Sequence, residues 1–301
     1  MAIGFTVLGS GSSGNASLLD VDGFGLLIDA GFGPRNLGRR LAAEGRRWEQ
    51  VHAAILTHTH SDHWRERTLA WFGRSGIPLF CHSQHGGDIG RFSYAFANLK
   101  AAGAVRHYQS HSPFFIAESI RCRPLPVRHD SAATFGFRFE IMDTSGEHCC
   151  SIGYAADLGS WDTKLAEFLA DVDLLALEFN HDVHLERTSG RSAALVRRVC
   201  GDDGHLSNDQ AVGLLREVIR RSRSVPLRHL VQLHLSRDCN RPSFALEAAR
   251  RTLGDAVTTV HTSDQHRPTC PILIETNGFT FSREPAVRQL LLPCMEEVSD
   301  E

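Results

Sequence analysis

The densest chemistry in this 301-residue chain lies in six consecutive residues, His58-Thr59-His60-Ser61-Asp62-His63. Imidazole nitrogens and a carboxylate packed this closely are metal ligands. Their donor character suits zinc, manganese or iron(II) better than magnesium. The segment follows an apolar run, residues 51–56, that reads as a buried strand. Side chains alternate along extended backbone, so His58 and His60 can face one ion. Asp62 and His63, past a turn, can serve a second. The plain alternative is a polar surface loop that happens to hold histidines, but three His and one Asp within six residues argue against it.

Two ions need more ligands, and three later positions supply them. His129 follows the run 125–128, Asp157 follows 152–156 and His234 follows 230–233. Each closes an apolar stretch. Strands of one sheet end at a common edge, so residues at their ends can converge. His82, His85, His107, His111, His148, His184, His229, His261 and His266 have no such setting and read as surface or packing residues.

These residues need a frame. Residues 3–8, 17–21 and 25–29 read as short strands around a turn-rich loop, 9–15. No helix follows that loop, which argues against a dinucleotide-binding turn. Pro34 opens a helix to about residue 44, with Leu37 and Leu41 on one face. A helix over 65–75 and a strand over 77–81 follow. Strands are predicted at 119–127, 134–142, 149–155, 173–178 and 227–233, and helices at 162–170, 188–199, 207–222 and 242–253. The simplest packing of this order is α/β, two sheets face to face with helices outside. No linker, repeat or low-complexity stretch divides the chain, so one domain over 1–301 is expected, with a frayed acidic end at 294–301.

Composition narrows the setting. Hydrophobic residues make up 42% and charged residues 22%, a balance typical of a globular chain. No run of about 18 apolar residues suggests a membrane span. The N-terminus reads as a strand and lacks the basic start of a signal peptide. Eight cysteines include no C-x-x-C pair, so reduced thiols in the cytoplasm are expected. The net charge of −3 gives no global basic field. Arg220, Arg221 and Arg223 form a local basic cluster, read as a solvated helix face; a nucleic-acid contact there would be salt-sensitive.

Taken together, His58-Thr-His-Ser-Asp-His63, Asp29 in Leu27-Ile-Asp-Ala-Gly31, and His129, Asp157 and His234 resemble the metallo-β-lactamase superfamily. The resemblance runs to about residue 265 and implies a four-layer αββα sandwich. It implies that His58, His60 and His129 hold one divalent ion, Zn²⁺ or Mn²⁺, and that Asp62, His63 and His234 hold the other. Asp157 would bridge the two, and Asp29 would orient the ligand loop. The segments Val7-Leu-Gly-Ser-Gly-Ser-Ser-Gly-Asn15, Leu177-Glu-Phe-Asn-His-Asp182, Gly204-His-Leu-Ser-Asn208 and His234-Leu-Ser-Arg-Asp-Cys-Asn240 are similar to the YycJ/WalJ-type nuclease branch. Thr59 and Cys239 depart from that pattern, where Glu and Asn are expected.

Glu178 and His205 further resemble the paired Glu and His of the ribonuclease Z branch, where the histidine serves the leaving group or the phosphate. No inserted cap of the β-CASP kind fits in residues 158–233. The resemblance implies phosphodiester hydrolysis with Asp62, His205 and Glu178 in catalytic roles, and a nucleic-acid substrate, DNA favoured over RNA, with no membrane partner. A small-molecule phosphodiesterase, or another ester or lactone hydrolase, is the competing reading. A non-catalytic metal-stabilised partner is a third, but a closed structural site would not need two ions. Asn208 is expected to begin or cap the helix that follows Leu206-Ser207, rather than to act in catalysis. His181 and Asp182 are expected either to contact substrate or to cap a loop, and Ser236 and Asn240 sit beside His234.

Overall fold

Strands apolar on both faces need cover on both faces, and this chain provides it in layers. The computed structural model describes residues 1–131 and 133–275. Its first half runs β1 (Ile3–Gly9), β2 (Ala16–Val21), β3 (Phe24–Ile28), α1 (Pro34–Ala43), β4 (Val51–Ile55), α2 (Glu66–Ser75), β5 (Leu79–His82), α3 (Ser83–Gly90), α4 (Tyr94–Ala101) and β6 (Val105–Tyr108). The second half runs β7 (Phe114–Ala117), β8 (Ile120–Pro126), β9 (Phe135–Met142), β10 (His148–Ala155), α5 (Thr163–Phe168), β11 (Leu174–Glu178), α6 (Val183–Arg187), α7 (Ala193–Val199), α8 (Asn208–Arg221), β12 (His229–Leu233), α9 (Pro242–Leu253), β13 (Thr259–Thr262) and β14 (Ile272–Ile274).

One sheet has the order β14-β1-β2-β3-β4-β5-β6, and the other β13-β12-β11-β10-β9-β8-β7. The period of two assigns each side chain to a layer. Leu26, Ile28, Ala53 and Ile55 face the second sheet and meet Phe137, Ile152, Leu174 and Val231. Leu27, Ala54 and Leu56 face outward and pack with Leu37, Leu41, Leu69 and Phe72 of α1 and α2. In the second sheet Leu175, Leu177 and Leu230 turn outward onto α5, α8 and α9. The layers are therefore αββα. β14 returns to the first sheet and pairs antiparallel with β1, Ile3 opposite Ile274.

Strands β3 to β6 are mutually parallel, as are β10 to β13. Parallel strands finish at one edge, and the candidate ligands lie there.

The helix predicted over 188–199 is shorter, α7 at Ala193–Val199, and α6 at Val183–Arg187 precedes the predicted span. Gly190 takes a left-handed φ of 73° between them, and Ser192 starts α7 afresh by accepting from the Leu195 amide. The sequence pattern also missed α3, α4, α6, β6, β7, β13 and β14. Helix α3 contains Gly86, Gly87 and Gly90, poor helix formers; it is held by burial of His85 and Ile89. The short edge strands depend on sheet partners distant in sequence. The acidic end at 294–301 lies outside the described residues.

Candidate metal centre

Three strand ends turn sharply to aim their side chains. Asp29 after β3, Asp157 after β10 and His234 after β12 have φ of 61°, 57° and 55°. Non-glycine residues seldom adopt this left-handed region, although Asp, Asn and His do so most readily. Such strain persists where surrounding structure over-determines it. Here all three residues are buried.

One buried carboxylate organises the histidine loop. Asp29 Oδ1 accepts from the Thr57 amide at 2.9 Å, and Asp29 Oδ2 lies 2.9 Å from His63 Nδ1. The Thr57 hydroxyl sits 2.9 Å from Asp29 Oδ2 and 2.9 Å from His58 Nδ1. Nδ1 of both imidazoles is thereby engaged, leaving Nε2 to face the centre. His129 follows the same rule: its Nδ1 is 2.9 Å from the Gly204 carbonyl, and its Nε2 is 3.2 Å from His60 Nδ1. Partners of this kind fix ring orientation and tautomer in metal sites.

The turn-rich loop after β1 serves as a backbone cradle. The Asn15 amide donates to the Asp62 carbonyl at 2.7 Å, and the Ala30 amide to the His63 carbonyl at 2.7 Å. The Asn15 side-chain amide reaches Asp62 Oδ2 at 3.3 Å and His63 Nε2 at 3.0 Å. Gly31 makes room for this: a Cβ there would come 1.7 Å from the Asp62 carbonyl oxygen.

The second sheet supplies the other half. Glu178 Oε1 receives His205 Nδ1 at 2.8 Å and His234 Nδ1 at 3.0 Å, while Oε2 accepts from the amides of Leu158 at 2.9 Å and Leu206 at 3.1 Å. Glu178 therefore holds two imidazoles, where sequence reading anticipated one. Asp157 stands between the halves, with Oδ2 3.1 Å from His63 Nε2 and Oδ1 3.2 Å from His234 Nδ1. Asp62 Oδ2 lies 3.7 Å from Nε2 of both His63 and His234.

Ligand atoms within 4.8 Å of one another form four overlapping sets: His58, His60 and His129; His58, His63 and Asp157; Asp62, His63 and His234; and Asp157, Glu178, His205 and His234. The fit to a cation rests on two buried atoms of these sets, His58 Nε2 and His234 Nε2, which have no hydrogen-bond partner among the described residues. Buried polar atoms are rarely left so, and donor atoms facing one centre are what a divalent ion requires.

The electrostatics point the same way. Burial opposes ionisation of Asp157, but His234 and His63 beside it hold it well below the usual carboxylate range. Burial likewise opposes charge on Glu178, yet His205 and His234 bring it down to about 2. Burial disfavours a charged His63, and the carboxylates of Asp157 and Asp29 outweigh it and push its pKa well up. His234 rises to about 10 against burial, chiefly through Asp157. His58, farther from the carboxylates, is held well below its ordinary value by burial and by His63. The carboxylates thus make a negative pocket that takes up protons when no cation competes.

All seven ligand candidates meet in this cluster, with Glu178 and His205 at its side. Several contributors escaped sequence reading. Thr57 reads as a strand residue and Asn15 as a turn residue, and neither type advertises a role. Asp130 sits 3.4 Å from Nε2 of both His60 and His129; its place beside His129 was the one available signal. Asn208 begins α8, as the sequence allowed, while Ser207 caps it by accepting from the Gln210 amide. The buried Asn208 side chain pairs reciprocally with Asn240, 3.0 Å each way. Asp182 caps α6 through the Leu185 amide. His181 is buried beside Cys200, and Ser236 accepts from the Cys239 amide.

Relatives place this arrangement. A family model described as a beta-lactamase superfamily domain matches residues 25–229. Exodeoxyribonuclease WalJ of Streptococcus pneumoniae serotype 2 is 30% identical over 260 residues, spanning 84% of this chain and 91% of that protein. Exodeoxyribonuclease YycJ of Bacillus anthracis is 24% identical over 288 residues, 89% of this chain and 98% of its own. Among solved structures, Zn²⁺-bound PqqB from Methylobacterium extorquens has the same fold, with a TM-score of 0.63 at 16% identity over 88% of this chain and 99% of that one. With these matches across most of its length, the chain belongs to the metallo-β-lactamase superfamily of hydrolases, in its YycJ/WalJ-type branch.

Proposed function

We propose that this chain is a metal-dependent phosphodiester hydrolase acting on nucleic acid, specifically a DNA exonuclease, working as one domain. The relatives named exodeoxyribonuclease support the substrate class. The observation that carries the reading is the shared carboxylate: Glu178 ties His234, a ligand by the family resemblance, to His205, which the resemblance does not count among the ligands. A site needing only to hold metal has no use for the second imidazole.

Two divalent ions, Zn²⁺ or Mn²⁺, would be held by His58, His60 and His129 on one side and by Asp62, His63 and His234 on the other, with Asp157 serving both. Such ions supply Lewis acidity and a water made acidic near neutral pH. The protein's own groups do the rest. Asp62, one-fifth exposed at its side chain, orients the attacking water. His205 gives its Nδ1 hydrogen to Glu178, which stays ionised, and so presents Nε2 outward; that nitrogen has no partner among the described residues. From there it donates a proton to the leaving oxygen or holds a phosphoryl oxygen. Cys81, Cys122, Cys149, Cys150, Cys200 and Cys239 are free thiols, in keeping with work in the reducing cytoplasm. Among the described residues no helix is long and apolar enough to cross a membrane.

The test is degradation of end-labelled single- and double-stranded DNA and RNA with Mn²⁺ or Zn²⁺ added. Stepwise shortening of DNA that disappears in Asp62→Ala is expected. In His205→Ala, turnover should fall by roughly 10²-fold or more while metal content stays unchanged. Intact nucleic acids beside a hydrolysed aryl phosphodiester would transfer the site to a small-molecule substrate.

A further inference from the structure

In the basic cluster visible in the sequence, Arg223 makes no ion pair among the described residues, but its two neighbours are neutralised. Arg220 and Arg221 are both tied to Glu217, at 2.6 and 2.7 Å, and Arg221 also reaches Glu167. Elsewhere Arg46 pairs with Asp20 and Arg191 with Glu186. A hollow of about 450 Å³ between α1 and α2 gathers arginines without such partners. It is lined by Arg35 and Arg39 from the first helix and Arg67 and Arg74 from the second, and no carboxylate lines it. All four are exposed, and none makes an ion pair among the described residues; Arg74 lies over the Trp71 ring.

Four like charges around one cleft repel each other, and nothing in the cleft offsets them. In a chain of net charge −3 this is a local positive field. The position matters as much as the charge. β3 and β4 are parallel neighbours; α1 follows the Asp29 end of one, and α2 begins three residues after His63 on the other. The starts of the two helices are joined by the Thr68 hydroxyl on the Phe32 carbonyl at 2.7 Å and by Arg65 on the Gly31 carbonyl at 2.7 Å. Both helices therefore begin at the rim of the candidate centre and lead away from it over the outer face. Arg67 and Arg74 are two turns apart, about 10 Å along the axis, a span of two or three phosphates at about 3.4 Å each. Arginine suits this task, because its planar fork matches phosphate oxygens.

We infer that the α1–α2 cleft docks the phosphate backbone of a nucleic-acid strand whose end lies in the metal centre. This rests on the nuclease reading for its orientation, but binding can be measured apart from cleavage. The experiment uses the full-length metal-loaded protein and a fluorescent, cleavage-resistant phosphorothioate oligonucleotide. Its dissociation constant is followed by anisotropy against salt for wild type and for Arg35→Gln/Arg39→Gln/Arg67→Gln/Arg74→Gln. Each phosphate neutralised on a single strand contributes roughly 0.7 to the slope of log affinity against log salt. The slope should therefore flatten by about 2 to 3, and binding at low salt should weaken at least about tenfold. Hydrolysis of a small aryl phosphodiester should remain unchanged, which also reports an intact fold. If the quadruple variant loses that hydrolysis, the two double variants, one per helix, should each remove about half the slope.

An unchanged slope and affinity in active variants would overturn the inference. Wild type that binds through the arginines yet shortens no nucleic acid would overturn the nuclease reading alone. Wild type that fails to bind would overturn this inference, whether or not it cleaves.

Discussion

The two halves of the centre use one device, a buried carboxylate behind a histidine, with opposite electrostatic results. On the first sheet Asp29 faces one imidazole and Thr57, and burial dominates, so its pKa is raised. On the second sheet Glu178 faces two imidazoles and two backbone amides, and burial is outweighed, so its pKa falls to about 2. Both groups are fully buried; the number of donors decides the sign. Asp29 is thus chiefly an orienting group for a loop whose ligands are consecutive in sequence. Glu178 is a fixed negative charge joining segments that the chain brings from far apart.

Neutralising each carboxylate without changing its shape separates these roles. Glu178→Gln should have the largest effect. The amide cannot accept from both imidazoles as a charge would, and its NH₂ meets donors already in place. We expect kcat to fall by roughly 10² to 10⁴, the range for a lost acid–base group, with no recovery in excess metal. Steady-state kinetics over a metal titration would show it. Asp29→Asn should act less, and through binding: metal affinity should fall about 10- to 100-fold, and kcat should recover when metal is saturating. If excess metal rescued Glu178→Gln and not Asp29→Asn, the division between the halves would be reversed.

The mildest test uses pH on cation-free protein. His234, with an ordinary value of 6.5, is raised to about 10 in the folded state. The stability from its proton is therefore fully present below about pH 6.5 and is lost as pH rises through about 10. Glu178 works the other way, its contribution being present above about 4.5 and lost as pH falls through about 2. Thermal midpoints of chelator-treated protein should thus decline between pH 7 and 10. Metal uptake, which displaces the His234 proton, should strengthen over the same range. A midpoint that rises from pH 7 to 10 would contradict the proton-filled pocket.

The strands that carry the ligands were readable because strands apolar on both faces appear as runs, and the ligands close those runs. Val51–Ile55 leading into His58 shows this. The long helices α1, α8 and α9 were equally plain from their apolar spacing and end signals. Helix α3, with three glycines, was not, since its stability comes from the core it covers. The helix predicted from residue 188 begins only at Ala193, because the left-handed turn at Gly190 delays it while leaving the apolar pattern intact.

By itself the sequence determined the chemical inventory: which residue types could hold cations, and that each sits where a strand stops. That much follows from side-chain chemistry and the period of extended backbone. Only the tertiary structure decided which imidazole nitrogen faces the centre, that one glutamate serves two histidines, and that Arg35, Arg39, Arg67 and Arg74 line one hollow without a carboxylate. Hydrogen-bond partners and charge neutralisation depend on distances between segments remote in the chain, and those distances exist only once the two sheets have closed on each other.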